Sequence, residues 1–118
     1  MNEKIVTVFG GSGFIGTEVV KQLSSAGFAV RVATRTPDAY KPPEGANATA
    51  RFCDYNHPES VKATLQEAYG AVNCIGLLYE SRHNTFEDAH VKIPEMLAKF
   101  AAEMNLERFV HISSLGVY

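Results

Sequence analysis

The sequence predicts an α/β fold: three layers built on a doubly wound parallel sheet of five strands in the order 3-2-1-4-5. Three observations carry this. Short, β-branched apolar runs alternate with longer amphipathic ones. The alternation repeats at intervals of about 25 residues, as strand–helix–strand units do. A cluster of glycines separates the first apolar run from the first amphipathic one. Right-handed crossovers between parallel strands then leave 3-2-1-4-5 as the natural order.

Ile5-Val6-Thr7-Val8-Phe9 is β-branched and apolar on both faces, as a central parallel strand must be. It breaks at Gly10. From Phe14 to Ser25 the residues Ile15, Val19, Val20 and Leu23 recur at helical spacing, and Gly27 supplies a stop. Ala29 to Thr34 is the second strand. Residues 37–47 hold three prolines and a glycine, which predicts a loop rather than a full helix. Thr49 to Cys53 reads as the third strand, ending at Asp54. His57-Pro58-Glu59 opens a helix with proline in its first turn, and Val61, Leu65 and Ala68 form its inner stripe. Ala71 to Leu78 is the fourth strand. Thr85 to Met104 has the helical stripe Phe86, Ala89, Ile93, Leu97, Phe100 and Met104. Pro94 interrupts it, so a kink or a new helix start is expected there. Arg108 to Ser113 is the fifth strand.

Composition narrows the function classes. With 118 residues, 46% apolar and 20% charged, the chain fits one domain of about 100–150 residues. It lacks the bias of a disordered chain and any apolar run near the roughly 20 residues that span a bilayer. The first strand follows Met1-Asn2-Glu3-Lys4 directly, so no signal peptide is expected. A cytoplasmic location is expected. Eleven basic against thirteen acidic residues, scattered along the chain, leave no footprint for nucleic acid and no basic helix for a membrane surface. Cys53 and Cys74 each lie in an apolar strand-like segment and read as buried reduced thiols. No metal site is expected: there is no CxxC, and His83 and His90 stand seven residues apart on a loop and a helix.

The sharpest motif is Gly10-Gly11-Ser12-Gly13-Phe14-Ile15-Gly16, which contains G-x-G-x-x-G between a strand and a helix. The first glycines would allow a tight turn at positive φ. Gly13 would let the backbone approach a pyrophosphate, and Gly16 would let the helix pack close to the sheet. The helix N-terminus offers free N–H groups and partial positive charge to phosphates. This is the signature of a Rossmann-type, dinucleotide-binding fold. At the end of the second strand, where an NAD site carries Asp or Glu for the ribose 2′-hydroxyl, the chain has Thr34-Arg35-Thr36. A guanidinium suits a 2′-phosphate, which favours NADP(H), with NAD(H) possible. Asp38, beyond Pro37, is the rival ribose acceptor.

With these residues in order, the whole chain resembles the extended and atypical short-chain dehydrogenase/reductases, including the NAD-dependent epimerase/dehydratase group. The resemblance implies a cofactor site made of Gly10, Gly11, Ser12, Gly13, Phe14, Ile15, Gly16 and Arg35. It adds Asp54 and Tyr55 near the adenine and Asn73, Cys74, Ile75 and Gly76 along the ribose. Phe109-Val110-His111-Ile112-Ser113-Ser114 resembles the family's fifth strand, which makes Ser114 the candidate catalytic serine and Ser113 the alternative. The segment from Val72 to Glu80, with Thr85-Phe86, His90-Val91 and Phe109-Val110-His111, is similar to one atypical branch. That branch holds the nucleotide-binding accessory subunit of respiratory complex I and its bacterial relatives.

The family's chemistry also needs a Tyr-x-x-x-Lys pair, in which the tyrosine is the acid/base. The chain contains no such pair, and Tyr118 lies upstream of where the family places its tyrosine. Residues 1–118 are therefore expected to form the NAD(P)-binding domain of a longer fold, truncated before the sixth strand and lacking the substrate domain. Alone it is expected to be inactive. An intact relative would act on a nucleotide sugar or similar carbonyl or alcohol substrate; the alternative is a non-catalytic, NADP(H)-binding structural or redox-sensing subunit. Tyr79, Glu80, Ser81 and Arg82 fall where a nicotinamide or substrate pocket would form. His57 reads as a helix starter and His111 as a satisfied strand histidine. An open fifth-strand edge predicts a homo-oligomer.

Overall fold

The structure is a computed structural model and describes residues 3–75 and 92–112. Five parallel strands run β1 Ile5–Phe9, β2 Ala29–Thr34, β3 Ala48–Phe52, β4 Gly70–Asn73 and β5 Arg108–His111. Their order in the sheet is β3-β2-β1-β4-β5, as expected. Between them lie α1 Phe14–Ser25, a single 3-10 turn at Pro37–Ala39, α2 Pro58–Thr64 and α3 Ile93–Glu103. The central strands are buried on both faces, whereas β3 and β5 at the edges are largely exposed.

Strand alternation sorts the core into two layers. One face carries Val6, Val8, Val30, Val32 and Val72, closed by Val20 of α1. The other carries Phe9, Ala33 and Ala71 under Val61 and Leu65, with Ile93, Leu97 and Phe100 of α3. The register puts Val8 beside Val32 on one side and Val72 on the other, so the valine layer is continuous across three strands.

Both long helices stop by the same device. After α1, Gly27 at φ +99° lets its own N–H reach Ser24 and the Phe28 N–H reach Leu23. After α3, Asn105 at φ +59° does the same with Ala102, and Leu106 with Ala101. These are paired closures in which a left-handed residue satisfies the last carbonyls. Asn is the side chain that tolerates that conformation best after glycine.

α2 is shorter than its apolar stripe suggests. It ends at Thr64, leaving Leu65 as its cap and Ala68 beyond it. The reason is tertiary. Thr7 of β1 donates its hydroxyl to the Thr64 carbonyl at 2.6 Å. Arg31 of β2 donates to the same carbonyl at 2.8 Å and to the Gln66 carbonyl at 2.9 Å. Acceptors that would continue the helix are taken by the sheet, and Glu67 turns the chain at φ +61°. The third strand lies one residue earlier than expected, at Ala48–Phe52. α3 is described from Ile93, with Pro94 in its first turn, where a missing N–H costs nothing. The Thr85 to Val91 portion of the expected helix lies outside the described residues.

Candidate functional site

The glycine turn sits at the C-terminal edge of β1 and is shaped by backbone contact. Gly10 takes φ +81°, and a Cβ there would lie 3.0 Å from the Cys74 carbonyl carbon and the Ile75 nitrogen. Of the motif's glycines it alone has positive φ. Gly11, also expected among the positive-φ glycines, does not need it. Gly11 is glycine because a Cβ would meet Val32 and Val8 at 3.0 and 3.2 Å in the valine layer. Gly16 has its nearest neighbours in the turn itself, where a Cβ would run into the Gly10 carbonyl oxygen and lie 2.7 Å from the Gly11 Cα. At Gly13 the nearest atom to a Cβ is the Gly10 oxygen at 3.8 Å, so among the described residues nothing fills that space.

Gly13 is the N-cap of α1 and brings no side-chain acceptor; no acidic residue lies in the first turn. The leading N–H groups and the helix dipole are therefore not neutralised locally. Phe14 opens the helix 79% exposed. From this turn a cleft of about 220 Å³ runs to the end of β2, lined by Ser12, Thr17, Thr34, Thr36, Tyr40 and Lys41. Among the described residues, the Tyr40 hydroxyl is the one buried side-chain polar atom without a hydrogen-bond partner. Burial raises its pKa. An uncapped helix N-terminus, an unfilled space at Gly13 and an unpartnered hydroxyl fit a phosphate-bearing ligand.

Arg35 follows β2 and is exposed. It is close enough to Asp54 to help lower that carboxyl's pKa, yet Lys41 is the cation that lines the cleft. Spacing from the glycines singles out Arg35 and passes over Lys41. The available signal was the proline-rich loop, which cannot form a crossover helix and must fold back over the sheet end. Asp38 lies exposed in the 3-10 turn.

Asp54 ends β3. Its carboxylate accepts the Asn56 N–H at 2.9 Å and stands 3.2 Å from His57 Nδ1. The Asn56 bond, then His57 and Arg35, hold its pKa below the usual carboxylate value against the opposing effect of desolvation. Tyr55 turns its ring towards Phe9, with centroids 6.3 Å apart, and burial pushes its hydroxyl pKa well up. Cys53 and Cys74 are free, buried thiols, raised by burial to about 12 and about 11.

Asn73 is fully buried at the end of β4. Its Oδ1 accepts the Ile75 N–H at 3.0 Å, and its Nδ2 meets His111 Nδ1 at 3.0 Å. Thus Gly10 to Gly16, Asn73, Cys74 and Ile75 come together at one sheet edge, with Arg35, Asp54 and Lys41 around the ends of β2 and β3. Gly76, Tyr79 to Arg82, His83, His90, Ser113, Ser114 and Tyr118 lie outside the described residues.

A 3-2-1-4-5 parallel sheet with a glycine turn feeding an uncapped helix N-terminus defines a Rossmann-type, NAD(P)-binding domain. The chain belongs to the NAD(P)H-binding family, which it matches over residues 10–118. It is 32% identical over 118 residues to the mitochondrial NADH dehydrogenase [ubiquinone] 1 alpha subcomplex subunit 9 of Mus musculus, covering 95% of this chain and 31% of that protein. It is 30% identical over 117 residues to the CDP-abequose synthase of Salmonella typhimurium, covering 95% of this chain and 38% of that enzyme. The fold matches the crystal structure of uronate dehydrogenase from Agrobacterium tumefaciens with a TM-score of 0.73 at 23% identity, over 97% of this chain and 42% of that one. A point mutant of that dehydrogenase is solved in complex with NAD. The chain thus spans about a third of the length of these curated relatives. Among the described residues, no helix is long and apolar enough to cross a membrane.

Proposed function

We propose that this chain is the cofactor-binding part of an epimerase/dehydratase-like oxidoreductase that prefers NADP(H). The observation that carries the reading is the glycine turn: Gly10 and Gly16 hold it closed, while Gly13 and the first turn of α1 stay free for a pyrophosphate. In this reading Ser12 and Thr17 flank the phosphates, Phe14 and Ile15 are covered by ligand, and the Tyr40 hydroxyl finds its partner on the ribose. Asp54 and Tyr55 lie near the adenine, and Asn73 to Gly76 follow the ribose. Arg35 and Lys41 bind the 2′-phosphate. When bound, the dinucleotide supplies hydride transfer. Ser114, or Ser113, would orient a nucleotide-sugar or similar carbonyl or alcohol substrate. The chain alone turns nothing over, because the 118 residues contain no Tyr-x-x-x-Lys. Two free, buried thiols support a reducing, cytoplasmic setting, and the exposed Val110 on β5 supports self-association through that edge.

The test is a titration of NADPH and NADH into the 15N-labelled chain, a method that reads weak binding. NADPH is expected to move the Gly10, Gly13 and Thr17 amides at lower concentration than NADH does, and Arg35→Ala to reduce the difference. Equal affinity in the wild type rejects the NADP preference. No shift at these amides with either nucleotide rejects the site.

The second reading is a non-catalytic subunit that binds NADP(H) within a complex I-like assembly. Its support is the mitochondrial NADH dehydrogenase subunit among the relatives. Hydride transfer by the full-length gene product decides between the two.

A further inference from the structure

We propose that Asn73 is a positioning residue that makes the seat of the glycine turn depend on the protonation state of His111. The inference concerns regulation of the dinucleotide site and rests on that reading of it. It begins with a buried side-chain amide whose orientation is determined. The Ile75 N–H is a donor and needs an acceptor, so the group facing it is Oδ1. The group 3.0 Å from His111 Nδ1 is then the NH2, which can only donate. His111 Nδ1 must accept, and its proton sits on Nε2.

That chain of bonds reaches the glycine turn. Asn73 holds the Ile75 N–H, and the Cys74–Ile75 peptide is the surface on which Gly10 rests, with no room for even a Cβ between them. A second proton on His111 turns Nδ1 into a donor facing a donor. Asn73 cannot resolve this by flipping, because Oδ1 would leave Ile75 and the NH2 would confront its N–H. Either the Asn73–His111 bond opens or the Ile75 contact does, and both loosen the support beneath Gly10. Asn73 is fully buried, so water does not readily replace the lost partner, whereas His111 is exposed to solvent.

Among the described residues, the neighbouring elements carry few competitors. Directly after β4 stands the Cys74 thiol, whose pKa burial pushes up to about 11. α3, packed against β5, carries Glu95, Lys99 and Glu103, with Lys92 at its cap; Glu107 and Arg108 lie at the opposite, N-terminal end of β5.

The experiment follows the Ile75 and Gly10 amides by NMR as the full chain is taken from about pH 8 to about pH 5.5, the span in which imidazoles gain a second proton. In the wild type both amides are expected to shift in step with the His111 ring. In His111→Gln, whose carbonyl accepts from Asn73 at any pH, that component is expected to vanish. Asn73→Asp keeps an acceptor for Ile75 and offers a carboxylate to protonated His111, so acidification should tighten the turn instead. Amides that ignore His111, or that titrate equally in His111→Gln, overturn the proposal. NADH affinity is measured alongside, because NADH has no 2′-phosphate to titrate. It should fall about fivefold on acidification in the wild type, the worth of one hydrogen bond, and stay level in His111→Gln after shared effects are subtracted. A chain whose amides respond as described but which binds no dinucleotide at any pH upholds the coupling and overturns the functional reading.

Discussion

The two faces of the sheet are built from alternate residues of the same strands, yet they are organised by different physics. The α1 face is a layer of valines and glycines. Its geometry follows from shape: Gly11 nests among Val8, Val20 and Val32, and Gly16 presses on Gly10. The α2–α3 face mixes Phe9, Leu65, Leu97 and Phe100 with buried Thr7, Arg31 and Asn73. Its geometry depends on hydrogen bonds that end a helix and hold a strand-end turn. Steric construction on the α1 face leaves the glycine turn little room to vary. Polar construction on the other face makes helix length and turn position depend on a few side chains.

The sharpest way to break this contrast is inside the glycine motif. Gly16→Ala puts a methyl group into the Gly10 carbonyl, which must move with the whole helix start. We expect a loss of about 3 kcal/mol or more in urea denaturation, as for overpacking of a tight backbone contact. Gly13→Ala should cost the fold less than about 1 kcal/mol, since φ is −76° and the nearest atom is 3.8 Å away. It should nevertheless weaken dinucleotide binding at least about tenfold, by placing a methyl where the pyrophosphate approaches. Equal stability losses in the two variants would refute the division of labour between these glycines.

On the other face the test is Arg31→Met. The guanidinium is desolvated and repelled by Arg51, both of which lower its pKa, and it stays where it is by serving two carbonyls. Removing it leaves the Gln66 carbonyl without that donor and Thr64 with only Thr7. The expected cost is about 2 kcal/mol, the penalty for stranding buried acceptors. Thr7→Val should cost about 1 kcal/mol, because Arg31 still covers Thr64. Neither should change the ratio of NADPH to NADH affinity. A change would mean that the polar face reaches the nucleotide cleft directly.

These contrasts explain what the sequence could and could not reveal. The strand order and the glycine turn were legible because they depend on local pattern: β-branched runs, helical spacing, and glycines between strand and helix. The end of α2 was not. Its stop is imposed by Thr7 and Arg31, 57 and 33 residues away from Thr64, and a lone Arg in Ala-Val-Arg-Val-Ala-Thr resembles an outward-facing strand residue. Within the site, Arg35 stood out by its distance from Gly16. Lys41 and Tyr40 enter the cleft because the loop after β2 returns towards Ser12 and Thr17; its prolines argue against a helix there, but spacing from the glycines does not give the path.

Lys41→Ala sharpens that last point. If Lys41 shares the 2′-phosphate with Arg35, its loss should weaken NADPH by about tenfold and leave NADH within about twofold, the worth of one charge-assisted bond. Arg35→Ala alone should leave a residual NADPH preference, and the double variant none. Should Lys41→Ala weaken both nucleotides equally, Lys41 contacts the shared phosphates and Arg35 alone discriminates.

The smallest effect is expected at Asp54, just beyond β3. Its folded pKa lies below the unfolded value, chiefly through the Asn56 N–H. A lowered carboxyl pKa stabilises the fold above the unfolded pKa, and that share disappears as the pH falls through the folded one. Asp54→Asn should therefore be slightly less stable than wild type at neutral pH. The two should converge as acid protonates the wild-type carboxyl, below about pH 4. Melting temperatures across that range read the difference. Parallel curves would show that the Asn56 and His57 contacts contribute nothing to stability, leaving the carboxylate free to serve the ligand alone.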